Sequence, residues 1–455
     1  MNLVYNVNDR PPFGKVIIFA LQQVLAILAA TIAVPSIVGN GMSQSAALFG
    51  AGAGTLVYLL FTKFKSPVFL GSSFAFLGSM FAAFGGAASV SVGYLGLVIG
   101  AIFAGLVYVV LSFVVKFVGV KWIAKLMPAA VIGPTVAIIG LSLAGNAAGD
   151  LLKGSVMKTV LVDLVPTSVP TASPYVALIC GLVTLAGVIV CSVYGKKMVK
   201  MIPFILGIAA GYVVAAIFTV IGIITENEAL MVINFSLFEN MQWVPEFAFI
   251  EAFKGFSDAK DLGAYIGTVA VAYVPVAFVV FAEHIADHKN LSSIIGKDLL
   301  EEPGLNNTLL GDGVGSMVGA FFGGCPNTTY GESVGCVAIS GNASVITIFV
   351  TAIIAIIASF FAPFVTLLAT IPSCVMGGVC VALYGFIAVS GLKMIQKVDL
   401  GDNRNLFVVS VILIAGVGGL SLTFGKVTLT AVACALILGI LVNLLVNIKK
   451  DEKAE

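Results

Sequence analysis

Long apolar stretches separated by short polar connections run along nearly the whole 455-residue chain. Residues 16–62 contain no charged side chain, and neither do residues 66–115, 405–425 and 427–448. An α-helix needs about 20 predominantly apolar residues to cross the hydrocarbon core of a bilayer. The pattern therefore predicts an all-α polytopic membrane protein, because a transmembrane β-barrel would alternate apolar and polar positions.

Hydropathy divides the chain into roughly fourteen segments of the length of a membrane span. Their approximate limits are residues 15–38, 44–62, 66–84, 90–116, 122–147, 174–195, 200–225, 264–289, 307–324, 326–344, 346–368, 373–395, 404–422 and 427–448. The third and the tenth segments are the least regular. Seven segments in each half predict a repeat, and an odd number per half makes the two halves inverted in the membrane.

Composition and charge narrow the class of protein further. The chain is 60% hydrophobic and only 10% charged, which excludes a soluble domain of this length. A net charge of +1 argues against nucleic-acid binding, which needs a basic surface. The cysteines show no metal-binding spacing, so we expect buried, reduced thiols and neither a metal nor a cofactor.

The positions of lysine and arginine predict how the chain is oriented. These residues concentrate in alternate connections, such as residues 63–65, 116–125 and 393–404, whereas residues 226–261 are acidic. Cytoplasmic connections are the ones enriched in lysine and arginine. The N-terminal residues 1–15 show no signal-peptide cleavage site. We therefore predict a multi-pass protein of the cytoplasmic (inner) membrane with both termini in the cytoplasm.

Glu332 is the single charged residue between Asp312 and Lys393. A carboxylate at membrane depth is costly, and it therefore indicates a functional site with a partner elsewhere in the chain. Glu332 ends the run Gly-Gly-Cys-Pro-Asn-Thr-Thr-Tyr-Gly-Glu at residues 323–332, in which glycine, proline and threonine favour a break in the helix. The third segment has a similar run, Ser-Pro-Val-Phe-Leu-Gly-Ser-Ser-Phe-Ala-Phe, at residues 66–76.

Two interrupted segments at corresponding places in the two halves predict a binding site near the middle of the membrane. A helix that begins there leaves its first N–H groups unpaired and carries a partial positive charge, so it can bind a carbonyl oxygen or an anion. The alternative is that proline and glycine only kink these helices and allow close packing.

Glu283 is the first charged residue after the uncharged stretch 262–282. On a helix Glu283 and Asp287 share one face, while His284 and His288 share the neighbouring face. Depth favours Glu283 as a site residue, whereas His288 and Lys289 fit the cytoplasmic end of the helix. The two histidines have the spacing of a zinc site, but no third ligand is evident, so no metal is predicted.

Several of these motifs resemble the nucleobase–ascorbate transporter family, and they are most similar to its bacterial uracil permeases. The matching residues are Gln22-Gln23, the run at 71–76, Ala-Glu-His at 282–284, and Asn-Thr-Thr-Tyr-Gly-Glu at 327–332. The resemblance implies fourteen spans in a seven-plus-seven inverted repeat. It also implies proton-coupled uptake, an elevator-like motion of a core domain against a gate domain, and a homodimer.

The resemblance also implies domain limits and site residues. Residues 1–120 and 263–370 would form the core domain, and residues 121–262 and 371–455 the gate domain with the cytoplasmic tail. The chemistry of the carboxylates, rather than the resemblance, suggests that Glu283 or Glu332 takes up the proton and that Asp287 stabilises the protonated group by a shared hydrogen bond. The implied substrate-binding residues are Glu283, Glu332, Phe74, Gly331, Tyr330, Ala30 and Tyr384.

Asp287 leaves the substrate open. Uracil permeases have histidine at this position, and an aspartate there resembles the purine-transporting branch, which usually has a neutral residue where this chain has Glu332. We expect uptake of a nucleobase, with uracil favoured and xanthine or another purine as the alternative. A cation channel or ion exchanger, in which the acidic residues select cations, is a further alternative. No protease motif is present, so an enzyme is not expected.

Overall fold

The computed structural model describes residues 3–119, 121–162, 165–196, 198–258, 262–424 and 427–451. The elements of the first half are α1 (Phe13–Val38), α2 (Gln44–Phe61), β1 (Leu70–Ser72), α3 (Leu77–Gly85), α4 (Val90–Val118), α5 (Lys121–Leu126), α6 (Ala129–Ser142), α7 (Ala144–Asp150), β2 (Met157–Val162), β3 (Val165–Pro170), α8 (Pro174–Tyr194), α9 (Met198–Met201) and α10 (Pro203–Ile224). A 3₁₀ turn, Phe74–Phe76, leads directly into α3.

The second half is also mainly helical. Its elements are α11 (Ala248–Asp258), α12 (Leu262–Ile295), α13 (Leu305–Gly323), β4 (Asn327–Thr329), α14 (Gly331–Ser340), α15 (Val345–Ala358), α16 (Ala362–Ala369), α17 (Ser373–Ile395), α18 (Asn403–Val417), β5 (Leu422–Phe424), β6 (Val427–Leu429) and α19 (Ala431–Asp451). Two further 3₁₀ turns, Glu228–Leu230 and Phe235–Asn240, precede α11, and a π-turn, Leu300–Gly304, precedes α13.

Within the described ranges, nine helices are long and apolar enough to cross a membrane. A tenth span results if α15 and α16, which meet at an angle of 83°, are counted as one. The protein therefore has the all-helical polytopic fold that the hydropathy pattern predicts, while the count of fourteen spans stays a prediction.

Local sequence explains where several helices begin. Ser43 and Ser89 cap α2 and α4, because each hydroxyl accepts a hydrogen bond from a backbone N–H in the first turn, at 3.2 and 3.3 Å. Pro174 and Pro203 occupy the first positions of α8 and α10, where a missing N–H costs nothing.

Glycines allow α2 and α13 to pack with their backbones in close contact. A Cβ at Gly54 would lie 2.6 Å from the carbonyl oxygen of Gly315, and one at Gly50 would overlap the carbonyl of Gly319. Small residues at this spacing are typical of helix pairs in membranes, where dispersion contacts rather than water drive association. Strand β4 contacts this helix pair through Asn327, whose side chain lies beside Gly54 and Gly319.

The helices pack as two groups, which meet along one cleft. In the first group α2 and α4 pack on α13, α1 packs on α15, and α12 packs on α4. In the second group α6 packs on α17 and α18, α8 packs on α10, and α18 packs on α19. Contacts of α1 with α10 and α17, and of α12 with α6 and α19, join the groups.

Candidate functional site

The site is built around two short strands inside the helical bundle. Strand β1 pairs antiparallel with β4, with Leu70 opposite Thr329 and Ser72 opposite Asn327. Two flanking backbone bonds extend the pairing: Tyr330 N–H donates to the Phe69 carbonyl at 3.1 Å, and Ser73 N–H donates to Pro326 at 2.9 Å. Irregular backbone at membrane depth needs such partners because lipid offers none.

Each strand leads directly into the start of a helix. Strand β1 is followed by the 3₁₀ turn that begins at Phe74, and β4 is followed by α14, which begins at Gly331. The pairing of the strands brings these two helix starts together from opposite halves of the chain. The first N–H groups of a helix have no partner within it, so both starts offer donors to a bound molecule.

Side chains from neighbouring helices hold the strands in place. Thr55 Oγ1 accepts from the N–H of Leu70 at 2.9 Å, and Asn327 Nδ2 donates to the Gly50 carbonyl at 3.1 Å. Ser333 Oγ accepts from Phe69 N–H at 3.0 Å and from Gln23 Nε2 at 2.5 Å. Buried polar groups with partners fix one geometry, so the two helix starts are held before any ligand binds.

A cavity of about 430 Å³ lies in the cleft between the two helix groups, in front of the strands. Its polar wall carries Glu283 and Asp287 of α12 and Glu332 of α14. The apolar wall across the cleft comes from the second group and consists of Val136, Ile139, Pro203, Phe204, Leu383, Phe386, Ile387 and Met394. A mainly apolar cavity of this size with a few convergent polar groups is typical of a small-molecule site.

Six of the eight predicted site residues line this cavity, and two do not. The six are Phe74, Glu283, Asp287, Tyr330, Gly331 and Glu332. Ala30 is buried in α1 and is 1% exposed. Tyr384 of α17 is 3% exposed and lies behind Phe74, with the rings edge to face and their centroids 5.9 Å apart.

The acidic wall carries most of the charge of the site. Glu283, Asp287 and Glu332 are each half-buried, and Lys200 of α9 is the basic residue among the described residues of the lining. Asp287 Oδ2 accepts a hydrogen bond from Thr329 Oγ1 at 2.8 Å, which ties α12 to β4. The arrangement offers hydrogen-bond acceptors from three carboxylates and donors from two helix starts.

The structure corrects the interpretation of His288. Helix α12 continues to Ile295, so His288 is not at a solvated helix end, and it is only 1% exposed. Its Nε2 pairs with the hydroxyl of Tyr58 at 2.7 Å. His284 is fully buried as well, and its Nδ1 lies 2.6 Å from Asp312 Oδ2.

Asp312 is the buried carboxylate that the sequence reasoning missed. It is 1% exposed in the middle of α13 and accepts a hydrogen bond from Thr328 Oγ1 at 3.3 Å. The signal that would have found it is the one that found Glu332, namely a single acidic residue in an otherwise uncharged apolar helix.

Comparison with known proteins agrees with a transport role. A model of the permease family, Xan_ur_permease, matches residues 14–424. The uracil permease of Bacillus caldolyticus is 38% identical over 445 residues, which cover 97% of this chain and 94% of that protein. The uracil permease of Escherichia coli strain K12 is 33% identical over 441 residues, with 96% and 93% covered. These matches identify a membrane transporter and not an enzyme.

Solved structures share the fold at low sequence identity. The transmembrane domain of the cyanobacterial bicarbonate transporter BicA has a TM-score of 0.61 and 16% identity, covering 94% of this chain and 96% of that one. The murine anion transporter Slc26a9 in its inward-facing state has a TM-score of 0.63 and 12% identity, covering 97% and 69%. At these identities the likeness concerns the fold alone.

Proposed function

Because this chain belongs to the permease family, we propose that it carries uracil into the cell across the cytoplasmic membrane together with a proton. One observation supports this most directly: Glu283 and Glu332 share a cavity with the two helix starts at Phe74 and Gly331. Uracil permeases that are 33–38% identical to it over nearly the whole chain favour the same substrate.

The chemistry of the cavity matches a neutral pyrimidine base. Uracil presents two N–H donors and two carbonyl acceptors. The carboxylates accept from N–H groups, and the helix starts donate to carbonyl oxygens. A site built from such bonds rejects analogues that leave one of its buried polar groups unpaired. An anion fits less well, because Glu283, Asp287 and Glu332 would repel it.

The acidic wall also favours coupling to protons. Carboxylates that face a shared cavity repel one another, and a proton bound by one of them removes a like charge. In our proposal Glu283 or Glu332 takes up a proton outside, the base binds, and both are released inside. Asp287, which accepts from Thr329, would stabilise the protonated partner through a shared hydrogen bond.

We further propose the finer architecture that accompanies this function. Residues 1–120 and 263–370 would form the core domain, residues 121–262 and 371–455 the gate domain, and fourteen spans would form two inverted repeats of seven. The cavity lies between the two helix groups, which is where an elevator-like motion would carry the substrate. The transporter would act as a homodimer with both termini in the cytoplasm.

Xanthine transport by the same site is the second candidate function. The position of Asp287 in the cavity wall favours it. This carboxylate lines the cavity beside Glu283 and adds an acceptor for a further N–H group. Xanthine carries such groups on both of its rings. Asp287 is held by Thr329, so its orientation is fixed and it can discriminate between bases.

Uptake of labelled uracil by the purified protein in proteoliposomes tests the proposal. Xanthine, thymine and ascorbate serve as competitors, each with and without a protonophore. We expect saturable uracil uptake that the protonophore abolishes. Competition by xanthine at lower concentration than uracil would favour the purine alternative, whereas currents without any nucleobase would favour the channel or exchanger and contradict symport.

A further inference from the structure

Behind the substrate cavity, three buried residues from two helices form a closed hydrogen-bonded cluster. His284 Nδ1 lies 2.6 Å from Asp312 Oδ2, and His284 Nε2 lies 3.0 Å from Thr308 Oγ1. The Thr308 hydroxyl also lies 3.1 Å from the carbonyl of Leu305 in its own helix. None of the three side chains is more than 1% exposed, and none lines the cavity.

The Thr308 hydroxyl allows two hydrogen-bonding patterns on the same heavy atoms. In the first, Thr308 donates its single proton to Nε2, and Nδ1–H donates to the Asp312 carboxylate. The imidazole is then neutral, and the cluster carries one negative charge. Every hydrogen-bonding atom of the ring has a partner.

The second pattern contains one more proton. Nε2 has gained a hydrogen and donates it to Thr308 Oγ1, and the hydroxyl has turned to donate to the Leu305 carbonyl. Nδ1–H still donates to Asp312, so the cluster is an imidazolium–carboxylate pair with no net charge. Moving between the patterns requires one proton and the rotation of one hydroxyl, with no displacement of a heavy atom.

We propose that His284, Thr308 and Asp312 form a proton-binding site, distinct from the substrate cavity, that takes up one proton at His284 Nε2 in the transport cycle. Histidine is the side chain suited to this near neutral pH. The proposal rests on the proton symport proposed above, but it assigns a proton to residues that do not touch the substrate.

Strand β4 connects this site to the cavity. Thr328 donates to Asp312, and the next residue, Thr329, donates to Asp287 in the cavity wall. Neighbouring residues of a strand point to opposite faces, so the two threonines bind carboxylates on either side of the strand. A change in the charge of the His284–Asp312 pair is therefore transmitted both through this strand and through space to Glu283 and Asp287.

The second histidine limits the site to a single proton. His288 Nδ1 donates to the His284 carbonyl at 2.8 Å, and its Nε2 pairs with Tyr58, whose hydroxyl also reaches Ser66. The two imidazole rings have centroids 4.1 Å apart, so two positive charges there would repel strongly. The titratable groups around the His284–Asp312 pair are Tyr58 of α2, Tyr108 of α4, and Glu283, Asp287 and His288 of α12.

The chain contains only two histidines, which makes the proposal directly measurable. Protein labelled with ¹⁵N-histidine in lipid nanodiscs gives ring-nitrogen shifts that distinguish neutral from doubly protonated imidazole. We expect the His284 signals to change from the Nδ1–H form to the doubly protonated form as the pH falls between about pH 9 and pH 5. Saturating uracil should shift the proton affinity by at least about fivefold. A ring that keeps one form over this range would overturn the proposal.

Thr308→Val and Thr308→Ser separate this switch from a structural role. Valine keeps the volume but leaves a protonated Nε2 without an acceptor, so His284 should stay neutral and the pH profile of uracil uptake should flatten. Serine keeps the hydroxyl, so Thr308→Ser should restore both the protonation of His284 and the pH dependence of uracil uptake. The matched control is Thr351→Val, because Thr351 is a buried threonine whose hydroxyl donates to the Thr347 carbonyl in its own helix. Titration of Thr308→Val identical to that of the unchanged protein would contradict the assignment.

The two proposals fail in different ways. If uracil is not the substrate, uptake is absent but the histidine titration remains. If His284 titrates but uracil leaves the midpoint of its titration unchanged and Thr308→Val keeps the full pH profile of uptake, the cluster binds a proton without coupling it to transport, and our inference is wrong.

Discussion

Glu283 and Glu332 belong to different helices and face the same cavity, with Asp287 beside them. Each is only half-buried, so each can exchange its hydrogen bonds with water for hydrogen bonds with a ligand. A hydrogen bond to a charged group contributes about 1.5–3 kcal/mol. The affinity for a small neutral base therefore depends mainly on these three carboxylates.

Replacement of either glutamate by glutamine tests this dependence. Glu283→Gln and Glu332→Gln keep the size of the side chain but replace a charged acceptor by a neutral amide. We expect uracil affinity to fall by about 10- to 100-fold in each variant, measured by calorimetry on purified protein. Glu301→Gln, at an exposed position outside the cavity, is the control and should bind normally. Unchanged proton-driven uptake in both cavity variants would contradict the proposed coupling.

Asp287 is expected to control which base is accepted. Asp287→His introduces the residue that the resemblance to uracil permeases implies for this position. It removes an acceptor beside Glu283 and breaks the hydrogen bond from Thr329. We expect uracil uptake to persist while inhibition by xanthine weakens by about tenfold, the effect of losing one good hydrogen bond. Equal inhibition by xanthine in the variant and the unchanged protein would show that Asp287 does not read the base.

The rule that a lone charge in an apolar stretch marks a functional site identifies some residues of this cavity but not all of its buried polar neighbours. Glu332 and Glu283 stood out as charges in apolar stretches, and both line the cavity. Asp312 meets the same criterion as the single charged residue of α13, but in the sequence it also marks the start of the uncharged stretch before Glu332. Lys289 and the polar residues after it favour a solvated helix end at His288 in the sequence, but α12 continues to Ile295 and buries His288 together with Leu291 and Ile295.

At the scale of elements, the two strand-to-helix segments determine the shape of the site. Glycine and proline indicated where β1 and β4 interrupt the helical pattern. Their pairing, Gly71 opposite Thr328, joins residues from opposite halves of the chain. Nothing in a single sequence specifies such a long-range partner, because local pattern determines periodicity but not pairing. The register therefore had to come from the structure.

Gly71 illustrates how tightly these two segments fit. A Cβ at Gly71 would overlap the ring of Tyr330, whose hydroxyl donates to the Ser72 carbonyl at 2.9 Å. We expect Gly71→Ala to displace Tyr330 from the cavity wall and to destabilise the protein by about 1–3 kcal/mol. The measurements are uracil affinity and the thermal unfolding midpoint in detergent. Gly78→Ala on α3, with no atom within 4 Å of the added methyl, should change neither.

At the scale of the whole molecule, the protein consists of two helix groups with the cavity between them. The carboxylates and helix starts lie on α12, on α14, which packs on α1 and α12, and on the turn before α3, which packs on α4 and α12, so all belong to the first group. The second group contributes a mainly apolar wall. This asymmetry favours an arrangement in which the first group holds the substrate and the second group covers it. Hydropathy predicted the membrane class and the order of the helices, but it did not indicate which helices pack together, because every apolar face looks alike in sequence.

Phe74 and Tyr384 provide a test of relative motion, because they form an edge-to-face contact between the two groups at 5.9 Å. Phe74→Cys and Tyr384→Cys, combined in a background whose native cysteines are replaced, allow the groups to be joined by a short bifunctional maleimide. If the first group slides against the second in each cycle, the joined protein should lose uracil uptake almost completely. Each single variant treated with the same reagent shows how far labelling alone blocks the cavity, and cleavable reagents should restore uptake on reduction. Uptake by the joined protein at the rate of the single variants would mean that this contact persists through the cycle, and the elevator-like motion would then have to be abandoned.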